Sequence, residues 1–156
     1  MVEHFASPVN GAEEDLGTAR LTDESTATKW RAWDDRWSVP LGRARSVEDL
    51  LVFSISPGEW LVIGGTVPPD GVDLTHVRAM FRLSGSGARD LLGHLCAIDL
   101  SDQFTPNGAA ARTLVAGVAT ELVRDDVGDR PSYLLLISRS FARAVWDRIV
   151  NVSRPK

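Results

Sequence analysis

Cysteine is nearly missing from this chain: Cys96 is the only one. An intrachain disulfide and a cysteine-based metal cluster are therefore excluded. Cys96 stands in the apolar run Leu95-Cys96-Ala97-Ile98, where a buried, inert thiol is expected, since a reactive thiolate wants a basic neighbour. Lysine is almost as scarce, with only Lys29 and Lys156. The net charge is −4, without the basic surplus of a nucleic-acid binder, so no nucleic-acid partner is expected. No apolar run reaches the roughly 20 residues of a membrane span. The N-terminus lacks a signal-peptide core. A cytoplasmic protein with no membrane contact is the expectation.

Catalytic sets are also lacking. The histidines are His4, His76 and His94, and no H-x-x-x-H or H-E-x-x-H spacing occurs, so no metal site is expected. There is no G-x-S-x-G elbow. Asp34-Asp35 and Asp125-Asp126 fall in turn-like segments, where solvation accounts for paired carboxylates. No catalytic residue is assigned.

What is present is the makeup of one globular domain. The 156 residues are 44% hydrophobic and 24% charged, enough for a sizeable core. The stretch Val77–Leu100 organises the chain. Val77, Ala79, Phe81 and Leu83 alternate with Arg78, Met80 and Arg82, which predicts a strand with one dry face. Ser84-Gly85-Ser86-Gly87 predicts a turn, with Ser86 capping a helix that ends near Leu95. Gly85-Ser86-Gly87 is a G-x-G, but the third glycine of a dinucleotide fingerprint would fall at Asp90, and no phosphate-loop lysine follows. A structural turn is the better reading.

Before this stretch, residues 1–18 are acidic and punctuated by Gly and Pro, and they read as a flexible arm. Thr26–Trp33 alternates and predicts a strand. Pro40–Ser46 reads as a basic loop. Leu50–Ile55 and Glu59–Gly64, joined through Pro57-Gly58, predict a hairpin. After it, Pro106-Asn107-Gly108 is a turn signal, and Arg112–Arg124 reads as one long strand with a bulge at Gly117. Tyr133–Ile137 is a continuous apolar run and predicts a central strand. A last helix is expected with Ser140 as cap and Phe141, Ala144, Val145, Ile149 and Val152 on its inner face. Residues 19–152 then form one domain and 153–156 a tail. The hairpin Leu50–Gly64 has a counterpart in Val115–Ser138. The predicted class is α+β, built from two related strand–helix–hairpin halves, the first without a clear helix.

Several ordered motifs carry a resemblance. Arg82-Leu83-Ser84-Gly85 leads into the helix, and Cys96-Ala97-Ile98-Asp99-Leu100 follows. Pro106-Asn107-Gly108 leads to Arg112-Thr113, and Arg139-Ser140-Phe141-Ala142 opens the last helix. Upstream stands Pro57-Gly58-Glu59-Trp60-Leu61-Val62-Ile63-Gly64. Together, over residues 20–150, the chain resembles the gamma subunit of heterotetrameric sarcosine oxidase, within the aminomethyltransferase-like, folate-binding superfamily. The resemblance implies that superfamily's antiparallel or mixed sheet with packed helices. It also implies a complex that demethylates sarcosine oxidatively and passes the one-carbon unit to tetrahydrofolate. The larger partner subunits would carry flavins and NAD, and this chain no cofactor of its own. Catalytic relatives carry an Asn-Asp pair where this chain has Ile98-Asp99, so Asp99 is expected to cap a helix or loop, with catalytic use as the lesser alternative.

Trp30, Trp33 and Trp37 lie within eight positions and could be core, interface anchors or a stacking platform. The alternative function is a free-standing folate-binding or one-carbon-transfer protein. A pteridine needs an aromatic slot with a few polar groups, and Trp30, Arg31, Trp60 and Arg82 are the candidate folate cleft.

Overall fold

Alternation along residues 78–84 places this segment in the middle of a six-stranded sheet. The computed structural model describes residues 7–155. Its strands are β1 (Glu13–Asp15), β2 (Arg20–Asp23), β3 (Lys29–Ala32), β4 (Ala44–Val47), β5 (Leu50–Phe53), β6 (Trp60–Ile63) and β7 (Val72–Asp73), then β8 (Arg78–Ser84), β9 (Ala110–Val115), β10 (Val118–Arg124) and β11 (Ser132–Ser138). The helices are α1 (Ala88–Gly93) and α2 (Arg139–Ser153). The larger sheet runs β1-β2-β8-β11-β10-β9 and the smaller β4-β5-β6-β3-β7, with every neighbouring pair antiparallel. This is the α+β class expected. The hairpin β5–β6 has its counterpart in β10–β11, and both helices fall in the second half.

Side-chain alternation builds three layers of core. Ala79, Phe81, Leu83, Tyr133, Leu135 and Ile137 face the helices and pack on Leu92, Val145, Trp146 and Ile149. Phe81 and Trp146 meet edge to face at 4.9 Å. Met80, Leu134, Leu136 and Val123 face the other way and pack between the sheets on Phe53, Leu61 and Leu74. β11 is buried on both faces, as its unbroken apolar run requires. A third cluster lies on the outer face of the smaller sheet, where Trp30, Val52 and Val62 are covered by Trp37 and Val39.

Several expectations are corrected. Of the supposed arm, residues 1–6 lie outside the described residues, but residues 13–15 form β1 on β2. Val9 is buried, and Asp23 binds the Ser7 hydroxyl and the Gly11 amide. Acidic composition hid an edge strand whose side chains all face water. Arg112–Arg124 is a hairpin and not one bulged strand: Ala116 and Gly117 have φ of 52° and 79°, the two positive values of the tight turn that suits strand twist. The helix after Gly87 lacks the Ser86 cap and stops at Gly93. In α2 the buried stripe is Ala142, Val145, Trp146, Ile149 and Val150, a complete i, i+3, i+4 pattern. Phe141 and Ala144 are exposed. Starting the stripe at bulky Phe141 put it out of phase. Ser153, assigned to the tail, is the last residue of α2. The strand expected over 26–33 is confined to Lys29–Ala32.

Candidate functional site

The glycine turn after β8 is tight because another chain segment crosses it. A Cβ on Gly85 would meet the Thr18 carbonyl oxygen at 2.4 Å, and one on Gly87 would meet Thr18 Cβ at 2.8 Å. The Gly87 amide donates to that same Thr18 carbonyl at 3.0 Å. The G-x-G admits the turn between β1 and β2 at Thr18 and is itself a structural turn.

The four predicted cleft residues do not share one cleft. Trp30 and Trp60 lie on the outer face of the smaller sheet. Trp30 is 4% exposed and donates from Nε1 to Gly64 O, and Trp60 Nε1 donates to Val39 O. Trp37 packs on Trp30 at 5.7 Å, with the Arg36 guanidinium over its own ring. Their rings are engaged with one another and with the loop around Val39. Arg31 alternates to the opposite face and pairs with Glu59 at 3.3 Å. Arg82 belongs to the other sheet. Trp33 stands apart at 53% exposed.

Arg82 is the predicted residue that sits at a cavity. It projects from β8 on the face turned toward the smaller sheet. Its Nε donates to both Glu24 oxygens at 3.0 and 3.2 Å, and Nη2 to Asp125 at 3.1 Å. Nη1 donates to Ser132 Oγ at 2.7 Å and to the Asp125 carbonyl at 3.1 Å. A cavity of about 290 Å³ opens between the sheets beside Arg82, Glu24, Asp125, Asp49, Met80 and Leu134. On its other side Arg82 borders a broad groove of about 1150 Å³ that includes Arg20, Arg130 and Ser86. Arg82 thus separates two openings, and its plane is fixed by two carboxylates. Glu24, Asp125 and Ser132 were invisible to sequence reading. They lie 58, 43 and 50 residues from Arg82, and no local spacing signals such a meeting.

Asp99 is exposed and accepts the Ser101 amide at 2.8 Å. These bonds hold its carboxyl below the usual range, as suits a loop cap. The Cys96 thiol is pushed up by burial, which suppresses the nucleophilic thiolate. Lys29, whose burial the sequence did not announce, is 1% exposed, and desolvation lowers its pKa to about 8. Among the described residues, no three His, Cys, Asp or Glu side chains are grouped to hold a metal. No helix there is long and apolar enough to cross a membrane.

By sequence, no protein-family model and no curated protein matches the chain. By structure, it is similar to a chain of the heterotetrameric sarcosine oxidase from Corynebacterium sp. U-96 in complex with pyrrole 2-carboxylate. That match has a TM-score of 0.77 at 18% identity, over 94% of this chain and 93% of the other. It is also similar to the glycine cleavage system aminomethyltransferase T from Bartonella henselae, with a TM-score of 0.63 at 11% identity. This second match covers 83% of this chain and 45% of that one. The chain therefore has the fold of these proteins, and spans under half of the second.

Proposed function

We propose that this chain is the small, gamma-like subunit of a heteromeric sarcosine-oxidase-like complex, contributing no catalytic group of its own. The observation that carries the reading is the nearly end-to-end structural match, in both directions, to a chain of a heterotetrameric sarcosine oxidase. A likeness spanning both chains whole is what a subunit of similar size would give. In this reading the flavins, NAD and the amine-oxidising chemistry reside in larger partner subunits. The assembly is cytoplasmic, and the one-carbon unit released by N-demethylation goes to tetrahydrofolate. Co-expression with large, sarcosine-oxidase-like subunits should yield a complex that survives gel filtration. The chain purified alone should be colourless and without amine oxidase activity. A stoichiometric flavin spectrum from the isolated chain, or failure of any complex to form, would refute it.

A second reading has one observation in its favour. The aminomethyltransferase-like fold places an arginine, Arg82, beside a cavity between the sheets, and an arginine with neighbouring carboxylates offers polar contacts to a pteridine. Free-standing folate binding would appear as saturable quenching of tryptophan fluorescence by tetrahydrofolate, abolished in Arg82→Met refolded to a native melting temperature.

A further inference from the structure

β9 is the last strand of the larger sheet, and its outer edge is only partly used. At its start the edge is occupied: the Ala110 amide donates to Gly42 O at 3.0 Å, and Arg43 bridges Ala109. Towards Arg112 this antiparallel segment ends at Gly42. Further along, the two-residue turn at Ala116-Gly117 fixes the ladder phase. Val115 faces Val118, Thr113 faces Thr120 and Ala111 faces Leu122 as the bonded pairs, so Arg112 and Leu114 turn their amides and carbonyls away from β10. Among the described residues nothing bonds these outward amides and carbonyls, and such an edge is a template for another strand.

Where that segment ends, there is a dimple of about 300 Å³. Its walls include Ile98, Pro106, Ala111 and Leu122, and on its rim Leu41 and Phe104 are 55% and 66% exposed. Two arginines flank this edge, Arg43 at the dimple and Arg112 on the open strand, both exposed. Neither has a carboxylate partner among the described residues, whereas Arg36, Arg82, Arg89 and Arg124 are all paired.

We propose that the open edge of β9 and the adjoining dimple form a docking groove for an extended, acidic segment of a partner protein. The segment pairs its backbone with Arg112 and Leu114, seats one apolar side chain between Leu41 and Phe104, and sets carboxylates against Arg43 and Arg112. Added-strand recognition draws affinity from main-chain hydrogen bonds and selectivity from pockets for alternate side chains. The unpaired arginines set the sign of the partner's charge. The proposal holds whichever complex the chain joins.

The test uses the full chain and a capped peptide that alternates glutamate and valine around one central phenylalanine, with a lysine-for-glutamate counterpart as control. Saturable binding of the acidic peptide is expected, with exchange of the Arg112 and Leu114 amides slowed about tenfold or more. The inward amides of Ala111 and Thr113 should be unaffected. Arg43→Glu combined with Arg112→Glu should lower affinity about tenfold or more, and Phe104→Ser should lower it at unchanged melting temperature. No protection at Arg112 and Leu114 with millimolar peptide overturns the proposal. So does equal binding of the lysine peptide, or a peptide-free dimer in sedimentation that protects the same edge.

Discussion

Lys29 Nζ donates to the Ser25 carbonyl oxygen at 2.6 Å, from a side chain with almost no contact with water. A second bond runs to the Ala27 carbonyl at 2.8 Å. The cation therefore tethers the loop entering β3 from inside the protein. Desolvation lowers its pKa to about 8 from 10.5, despite Asp23 and Asp73 nearby.

That shift fixes the sign of a pH effect. Between about 8 and 10.5 the folded chain has released this proton while the unfolded chain keeps it. Unfolding then takes up a proton, so this group makes stability rise with pH across the window. As pH falls the gain is lost across this same window, and below about 8 both states hold the proton and the group adds no further slope. The size is on the order of 3 kcal/mol. Urea denaturation of the native chain and Lys29→Met at pH 7.5 to 10 should show a steeper rise for the native chain. Parallel curves would refute the shift.

The Phe81–Trp146 contact predicts where α2 is held. Trp146→Ala should destabilise by about 3–5 kcal/mol. Phe141→Ala, five residues earlier on the exposed face, should stay within about 0.5 kcal/mol. Chemical denaturation of both variants measures the difference, and a reversed order would mean that the helix is rotated.

Two kinds of glycine should separate cleanly. Gly85→Ala puts a methyl against the Thr18 carbonyl at a positive φ of 119°, so a loss of about 2 kcal/mol or more is expected. Gly93 has nothing within 4 Å of a built Cβ. Gly93→Ala should gain about 0.4–1 kcal/mol. Melting temperatures moving in opposite directions are the expected outcome.

The tryptophans allow a test of assembly. Trp30→Ala removes a buried ring of the outer cluster and should lower the melting temperature of the free chain, at about 3–5 kcal/mol. Trp33 is exposed, so Trp33→Ala should leave melting unchanged. In the proposed complex Trp33→Ala should weaken partner binding by about 2 kcal/mol if Trp33 anchors the interface. Pulldown of co-expressed subunits, read beside thermal melts, distinguishes these effects.

What the sequence disclosed follows from how locally each feature is encoded. The alternation of Ala79, Phe81 and Leu83 and the apolar run Tyr133–Ile137 each contain their own burial pattern, so β8 and β11 were legible. Pro57-Gly58 carried its hairpin in the turn chemistry itself. Ala116-Gly117 did not, because an alanine at positive φ carries no side-chain signal. β1 was missed for a related reason: Glu13, Glu14 and Asp15 have no buried face to betray them. The site was least legible. Arg82 could be singled out, but its partners arrive from distant strands. Trp30 and Arg31, adjacent in sequence, point to opposite sides of their sheet, as the alternation over 26–33 predicts.

The seating of β2 against β8 has a kinetic side. The chain leaves the larger sheet after Asp23, builds all of the smaller sheet, and returns at Arg78. Leu21 meets Leu83 only after that excursion closes. β9, β10 and β11, by contrast, pair as sequence neighbours through short turns. Closing the longer loop costs more chain entropy before any contact offsets it. β1 and β2 are therefore expected to join a meander already formed, and to detach from it first. In native-state exchange, the Leu21 amide should open at lower denaturant than Leu135, with Thr18 and its crossing of the glycine turn leaving together with it.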